Sequence, residues 1–313
     1  MNTLVRSLST VGVVTAVVAG GPLAQEADKM KKQVALPHTE VIEITSRHVG
    51  ADFEIWVAMP QLNPRMPAPD AYSVLYVTDA NLFFGTAVEM TRLMHGLFGE
   101  LPPILVVGIA YPSDDPAVLG EIRNRDFTPS EDARFEAMGK RLNPAWKPLL
   151  PEGERMGRAN DFLLFIEEEV KPLIAGRYSV AASGHTLFGS SLGGLFTLHA
   201  LLTRPGSFDN YIVASPSIWW DGEMLFGVEE QTASAVEDVA ANVFIGVGQL
   251  EEGVGMPWLD EFRTVTNVKK MAERLKGRGY ASLRIDRHIF EGETHTSVVP
   301  AVLTRGLRMV YGS

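Results

Sequence analysis

The chain has 313 residues, a formal net charge of −10, 46% hydrophobic residues and 21% charged ones, the balance of a globular protein able to bury a large core. The acidic balance argues against nucleic acid as a partner, because phosphate binding needs a basic footprint. The absence of cysteine excludes disulfides, thiolate catalysis and Cys-ligated zinc without identifying a compartment.

At the N-terminus, Arg6 precedes an apolar stretch from Val11 to Ala19 and then small residues before Gln25, roughly the plan of a secretory signal. The charge before the stretch is single, and Pro22 stands two residues before Ala24, so no clean A-x-A cleavage site is present. Residues 1–37 therefore read as a leader or signal-like segment with a disordered linker, favouring a periplasmic or secreted protein over a cytoplasmic one. The stretch is too short to span a bilayer, and no other segment is long enough. Residues 38–313 read as one catalytic domain, with no internal repeat and no dividing linker.

From residue 41 onward, short apolar β-rich runs alternate with helical patterns, the signal of a mostly parallel sheet covered by helices on both faces. Val41–Ser46 and Phe53–Met59 flank Val49-Gly50-Ala51-Asp52 and predict an opening hairpin. Further strands are expected at Ser73–Val77, Ile104–Ala110, Thr186–Phe188, Tyr211–Ala214, Val243–Val247 and Leu283–Phe290. Most of these lack strict alternation, which suits strands buried on both sides. Helices are expected at Leu82–Phe98, Asp161–Ala175, Leu192–Thr203, Val268–Lys276 and Val298–Met309. Eight strands in this pattern match the α/β-hydrolase plan, though several doubly wound folds have as many. Two connections, about 111–160 and 216–241, are too long for simple crossovers. They predict inserted, lid-like loops or binding walls.

The sharpest local signal is Gly189-Ser190-Ser191-Leu192-Gly193, followed by Gly194. As a bare pattern G-x-S-x-G is weak. Here a short apolar strand stands directly before it and a helical run directly after, the strand–turn–helix setting that lifts a nucleophile to the apex of a tight turn. Ser191 is the candidate nucleophile; Ser190, one residue earlier, should point away from the apex. A serine hydroxyl needs a neighbouring base, and in this fold the triad runs Ser, acid, His. Of the histidines after Ser191, His199 leaves no room for an acid before it and His288 sits inside a strand pattern. His295, in the loop Glu291-Gly292-Glu293-Thr294-His295 past the last strand, is the expected base. The acid should follow Val243–Val247, where Glu251 is preferred to Glu252, with Asp260 third. The backbone N–H groups of Leu192 and of the Thr78-Asp79-Ala80-Asn81 turn, Asn81 before Ala80, are the expected oxyanion donors.

Several stretches resemble the putative-esterase family of α/β-hydrolases that includes the enterochelin and bacillibactin esterases and esterase D. They are Val74–Asn81, Val107–Pro112, Arg123–Pro129, the serine turn, Ser215-Pro216-Ser217-Ile218-Trp219-Trp220 and Gly292-Glu293-Thr294-His295. One position departs from the family pattern: Ala80 stands where a glycine usually follows the Asp. The resemblance implies a cofactor-free, metal-free serine esterase and, in the siderophore branch, cleavage of a trilactone or related aromatic acyl ester. Arg123 and Arg125 are candidate partners for catecholate or carboxylate, and Trp219 and Trp220 for aromatic acyl groups. Each pair has a competing structural role, anchoring the Pro-rich connection or filling the core. A catalytically inactive binding protein and an acyltransferase with the same triad are the alternative functions.

Overall fold

A computed structural model describes residues 35–312 apart from Phe98, Asn143, Trp146 and Met256, so the expected leader lies outside the described residues up to residue 34. The hairpin expected around Gly50 forms: β1 (Thr39–Thr45) pairs antiparallel with β2 (Asp52–Ala58), and Gly50 turns the chain at a φ of 72°. Strands β3 (Ser73–Val77), β4 (Ile104–Ala110), β5 (Thr186–Ser190), β6 (Asn210–Ala214), β7 (Ala241–Gly248) and β8 (Leu283–Phe290) complete one eight-stranded sheet. Its order is β1-β2-β4-β3-β5-β6-β7-β8, with β3 to β8 parallel and β2 antiparallel to β4. This is the α/β-hydrolase fold. Every residue of β4, β5 and β6 is buried, which is why their sequences run apolar without alternation.

Helices cover both faces, as the pattern predicts. On one side α1 (Ala80–Gly96) and α11 (Val299–Tyr311) lie together against the sheet. On the other are α2 (Pro116–Phe127), α4 (Ala159–Phe165), α6 (Leu192–Thr203), α8 (Leu225–Ala235) and α10 (Thr264–Gly277), the last preceded in the chain by the short α9 (Pro257–Phe262). Here Phe127, Phe162, Phe165 and Phe196 interlock with ring centroids 5.1–5.9 Å apart, a geometry that adds to what their burial alone contributes. The helix expected at Asp161–Ala175 is interrupted: a π turn at Ile166–Val170 joins α4 to α5 (Lys171–Ala175).

Both long connections carry helices, and the first lines the main cleft. In 111–160, Asp115 caps α2 by accepting the Ala117 amide at 2.8 Å, with Pro116 at the first helical position, and α3 (Ala133–Leu142) follows. The prolines that look like loop residues thus include a helix start. Glu121 of α2 ties the segment down by accepting the Leu149 and Leu150 amides. In 216–241, the single turn α7 (Trp220–Glu223) leads into α8. The acidic stretch there is an ion network: buried Glu229 accepts from Arg274 of α10 and from Arg278 just past its end, and Glu230 pairs with both as well. Among the described residues no helix is long and apolar enough to cross a membrane.

His199 on α6 is buried, and its Nε2 lies 2.9 Å from Asn160 Oδ1 on the neighbouring helix. Burial pushes its imidazole down to about 4. The folded value lies below the unfolded one, so the unfolded chain takes up more protons as the pH falls, and stability present above about 6.5 is lost on the way to 4. Between pH 7 and 4.5 this group alone should remove about 2–3 kcal/mol. Urea unfolding of wild type and His199→Gln at the two pH values measures it. The variant should lose correspondingly less, and equal losses would contradict the assignment.

Candidate active site

The turn between β5 and α6 explains why the serine pattern needs its glycines. Ser191 adopts φ 59°, ψ −117°, a backbone region that L residues rarely occupy and that persists only when its surroundings enforce it. A Cβ on Gly189 would lie 2.1 Å from the Gly193 carbonyl oxygen, and one on Gly194 would lie 2.9 Å from that of Ala214. The helix therefore sits directly on the strands, and only glycine leaves room. Ser190, the rival serine, is buried at the end of β5, where it pairs with Ala214. Ser191 is partly exposed at the floor of a cleft of about 930 Å³.

Two helix N-termini meet at this floor. Leu192 is the first residue of α6, so its N–H has no intrahelical acceptor. At the start of α1, Asp79 turns the chain at φ 51°, and its carbonyl takes the Leu82 and Phe83 amides. The Ala80 and Asn81 amides are thus left outside the helix ladder. Of the two residues, Asn81 lines the cleft while Ala80 is buried. The Asn81 side chain is occupied elsewhere: Nδ2 donates to the Tyr111 and Ser113 carbonyls and Oδ1 accepts the Tyr111 amide. Only its backbone N–H is available. Ala80, the departure from the family pattern, is accommodated by Gly108 on β4, whose missing Cβ would stand 2.7 Å from the Ala80 Cβ.

Past β7, Glu251 is buried, and past β8, His295 lines the same cleft as Ser191. His295 Nδ1 and Glu251 Oε2 are 2.6 Å apart. The other carboxylate oxygen of Glu251 accepts from Ser215 Oγ at 2.6 Å and from the Gly248 amide at 2.7 Å. The two loops are clasped together as well. Leu250 N–H donates to the Glu293 carbonyl at 2.9 Å, and a Cβ on Gly248 would stand 2.4 Å from that same oxygen. Glu252 and Asp260 face elsewhere: Glu252 accepts from the Thr266 amide and hydroxyl, and Asp260 from the Gly253 amide. His288 lies within β8 against Phe290. Ser191 Oγ has Ser217 Oγ as its polar neighbour at 3.4 Å and makes no hydrogen bond to His295 in this structure. Nucleophile–base contacts commonly tighten only when substrate binds.

Among the expected substrate-binding residues, only Arg123 reaches the cleft. It donates Nε and Nη2 to Asp79 at 3.0 and 2.8 Å. Burial opposes its charge, but the adjacent Asp79 carboxylate outweighs that and holds the guanidinium above its ordinary value. The other three expectations are corrected. Arg125 is buried and bidentate on Asp126, and the cavity it lines is a different one, shared with Arg47 and Arg158. Trp220 is fully buried against Phe135, with its Nε1–H on the Ser130 carbonyl. Trp219 stacks on Phe262 at 4.3 Å and lines a separate cavity. Sequence reasoning passed over the side chains of Ser215, Ser217, Asp79, Glu54 and Trp56. The first three lie within quoted family stretches, but no spacing rule marks their contacts.

Comparison with known proteins bears on the same region. The family model described as Putative esterase matches residues 46–292. Ferri-bacillibactin esterase BesA of Bacillus subtilis is 32% identical over 87% of this chain and 89% of its own length. Siderophore triacetylfusarinine C esterase of Aspergillus fumigatus is 29% identical over 89% and 94%. Among solved structures, the BES protein of Bacillus cereus superposes with a TM-score of 0.74 at 33% identity, covering 90% of this chain and 98% of that one. Siderophore hydrolase EstB of Aspergillus nidulans gives a TM-score of 0.74 at 25% identity, covering 90% and 98%. The chain belongs to the Putative esterase family and is a carboxylic ester hydrolase.

The Glu251 clamp has a measurable consequence. Ser215→Ala leaves a buried carboxylate oxygen with one donor fewer and should cost about 1.5–3 kcal/mol, the range for hydrogen bonds to charged groups. Urea unfolding of wild type and variant reads this directly; a loss under about 0.5 kcal/mol would mean that the hydroxyl contributes little to holding Glu251.

Proposed function

We propose that Ser191, His295 and Glu251 form a catalytic triad that hydrolyses siderophore esters through an acyl-enzyme. The observation that carries the reading is the 2.6 Å contact between His295 Nδ1 and a buried Glu251 whose other oxygen is doubly anchored. That contact fixes the tautomer with Nδ1 protonated, leaving Nε2 as the basic nitrogen. Ser191 Oγ attacks the ester carbonyl while its proton passes to Nε2. Negative charge then develops on the carbonyl oxygen, and the backbone N–H groups of Leu192 and Asn81 are the donors in position to hold it, reinforced by the positive ends of α6 and α1. As the tetrahedral intermediate collapses, His295 returns the proton to the departing alcohol. Water, deprotonated by the same nitrogen, releases the acid and restores Ser191. Throughout, Glu251 stabilises the imidazolium without taking its proton. No step calls for a cofactor.

The siderophore part of the reading rests on the relatives. Two of them, similar over most of the chain, are named for siderophore ester cleavage. The cleft volume of about 930 Å³ is also at the upper end of small-molecule sites.

Ser191→Ala should fold and lose p-nitrophenyl acetate turnover and fluorophosphonate labelling, with kcat down by about 10⁴ or more. Glu251→Gln should lose about 10³–10⁴ in kcat, and Glu252→Gln less than about threefold. Full turnover in Ser191→Ala would remove the nucleophile assignment. An enzyme that cleaves p-nitrophenyl esters but neither iron-free nor ferric siderophore esters would overturn the substrate class alone.

A further inference from the structure

We infer that this cleft selects esters carrying no net negative charge, with Glu54 and Asp114 as the specificity-determining residues. The inference rests on the reading of the cleft as the ester site and names the electrostatic class of its substrate.

The charges on the cleft wall are unequal. Among the described residues lining it, Arg123 is the only lysine or arginine, whereas Glu54 and Asp114 both supply carboxylates. The Arg123 charge is already matched by Asp79, a buried carboxylate that takes two of its N–H groups. The pair carries no net charge, so Arg123 does not offset the two wall carboxylates. Glu54 is fixed in the wall, because Trp56 Nε1–H donates to its Oε2 at 2.8 Å and Trp56 itself packs edge-on against Phe84. Asp114 is exposed and has no ion-pair partner among the described residues. The remaining lining is chiefly apolar, including Trp56, Leu82, Phe83, Leu119 and Val299. The whole chain adds a background charge of −10.

A concave, partly apolar site focuses the field of its wall charges, so two unpaired carboxylates act on a ligand more strongly there than on open surface. Anionic esters are repelled on approach and again when bound, while neutral esters are indifferent and cationic ones favoured.

The test uses three aryl butyrates differing in one para substituent: acetyl (neutral), carboxylate (anionic) and trimethylammonium (cationic). Comparing wild type with the Glu54→Gln/Asp114→Asn double variant cancels the intrinsic reactivity of each leaving group. The amide oxygen introduced at position 54 still offers Trp56 an acceptor. The anionic-to-neutral ratio of kcat/KM should rise about tenfold in the variant, and the cationic-to-neutral ratio should fall. Unchanged ratios with the neutral ester still cleaved would overturn the charge selection and leave the esterase reading intact. No cleavage of the neutral ester by wild type, together with no fluorophosphonate labelling, would overturn both. Should the variant fail to fold, wild type alone decides. Raising salt from about 20 to about 500 mM screens the wall, so kcat/KM should climb several-fold for the anionic ester, drop for the cationic one and hold steady for the neutral one. A response equal for all three esters overturns the proposal.

Discussion

A carboxylate with 1% of its surface exposed governs the arrangement of this site. Burying the Glu251 charge is tolerable only because three donors surround it, and each comes from a different part of the chain: Ser215 past β6, Gly248 at the end of β7 and His295 past β8. The three strands are neighbours in the sheet, so their C-terminal ends can converge on one group. Removing any donor leaves a desolvated charge short of hydrogen bonds, which ties the geometry of the histidine loop to the stability of the sheet edge. That coupling holds a partly exposed imidazole, 41% accessible at its side chain, in one orientation.

A second buried carboxylate organises the other wall. Asp79 ends β3 in a left-handed turn and directs its side chain to Arg123 of α2, joining the start of α1 to the proline-rich connection. The same residue thus sets the direction of the α1 N-terminus and pins the segment that closes the cleft. Alanine follows it without strain on its neighbours because Gly108 on the adjacent strand gives up the volume of a side chain. The methyl group of Ala80 thus occupies the space that glycine leaves on the adjacent strand. The N–H groups keep their place, since helix geometry, and not the identity of residue 80, leaves them without partners.

Legibility in the sequence followed distance along the chain. Strands β3, β4 and β8 begin and end where the sequence pattern places them, and the serine turn was readable because strand, glycines and helix are contiguous. Ser191, Glu251 and His295 could be proposed as a triad because this fold places catalytic groups at strand ends in a fixed order, so chain order substitutes for three-dimensional contact. No such rule exists for side chains that leave helices. Arg123 and Arg125 are two residues apart on α2, which turns them to different sides: one faces the cleft and the other pairs with its own neighbour Asp126. Trp219 and Trp220 are adjacent in the chain and diverge in the same way, one of them into the core. Composition suggested aromatic and cationic contacts in both cases, and only helical phase decides which member of a pair makes them.

Function in this molecule is thus divided between two kinds of structure. The proposed bond-making groups sit on strand ends and tight turns whose positions are fixed by hydrogen bonds to buried carboxylates and by close glycine contacts. The inferred charge selectivity belongs to the opening hairpin, which carries Glu54 and Trp56, and to the helical connection carrying Asp114 and Arg123. These segments line the cleft without entering the Glu251 network, so their side chains can change without disturbing it. A charge added or removed there shifts which ester enters, whereas the same change at Ser215 or Gly248 reaches the imidazole itself. The sheet edge consequently tolerates little variation at the chemistry, and the cleft wall is where a substrate of different charge would be accommodated.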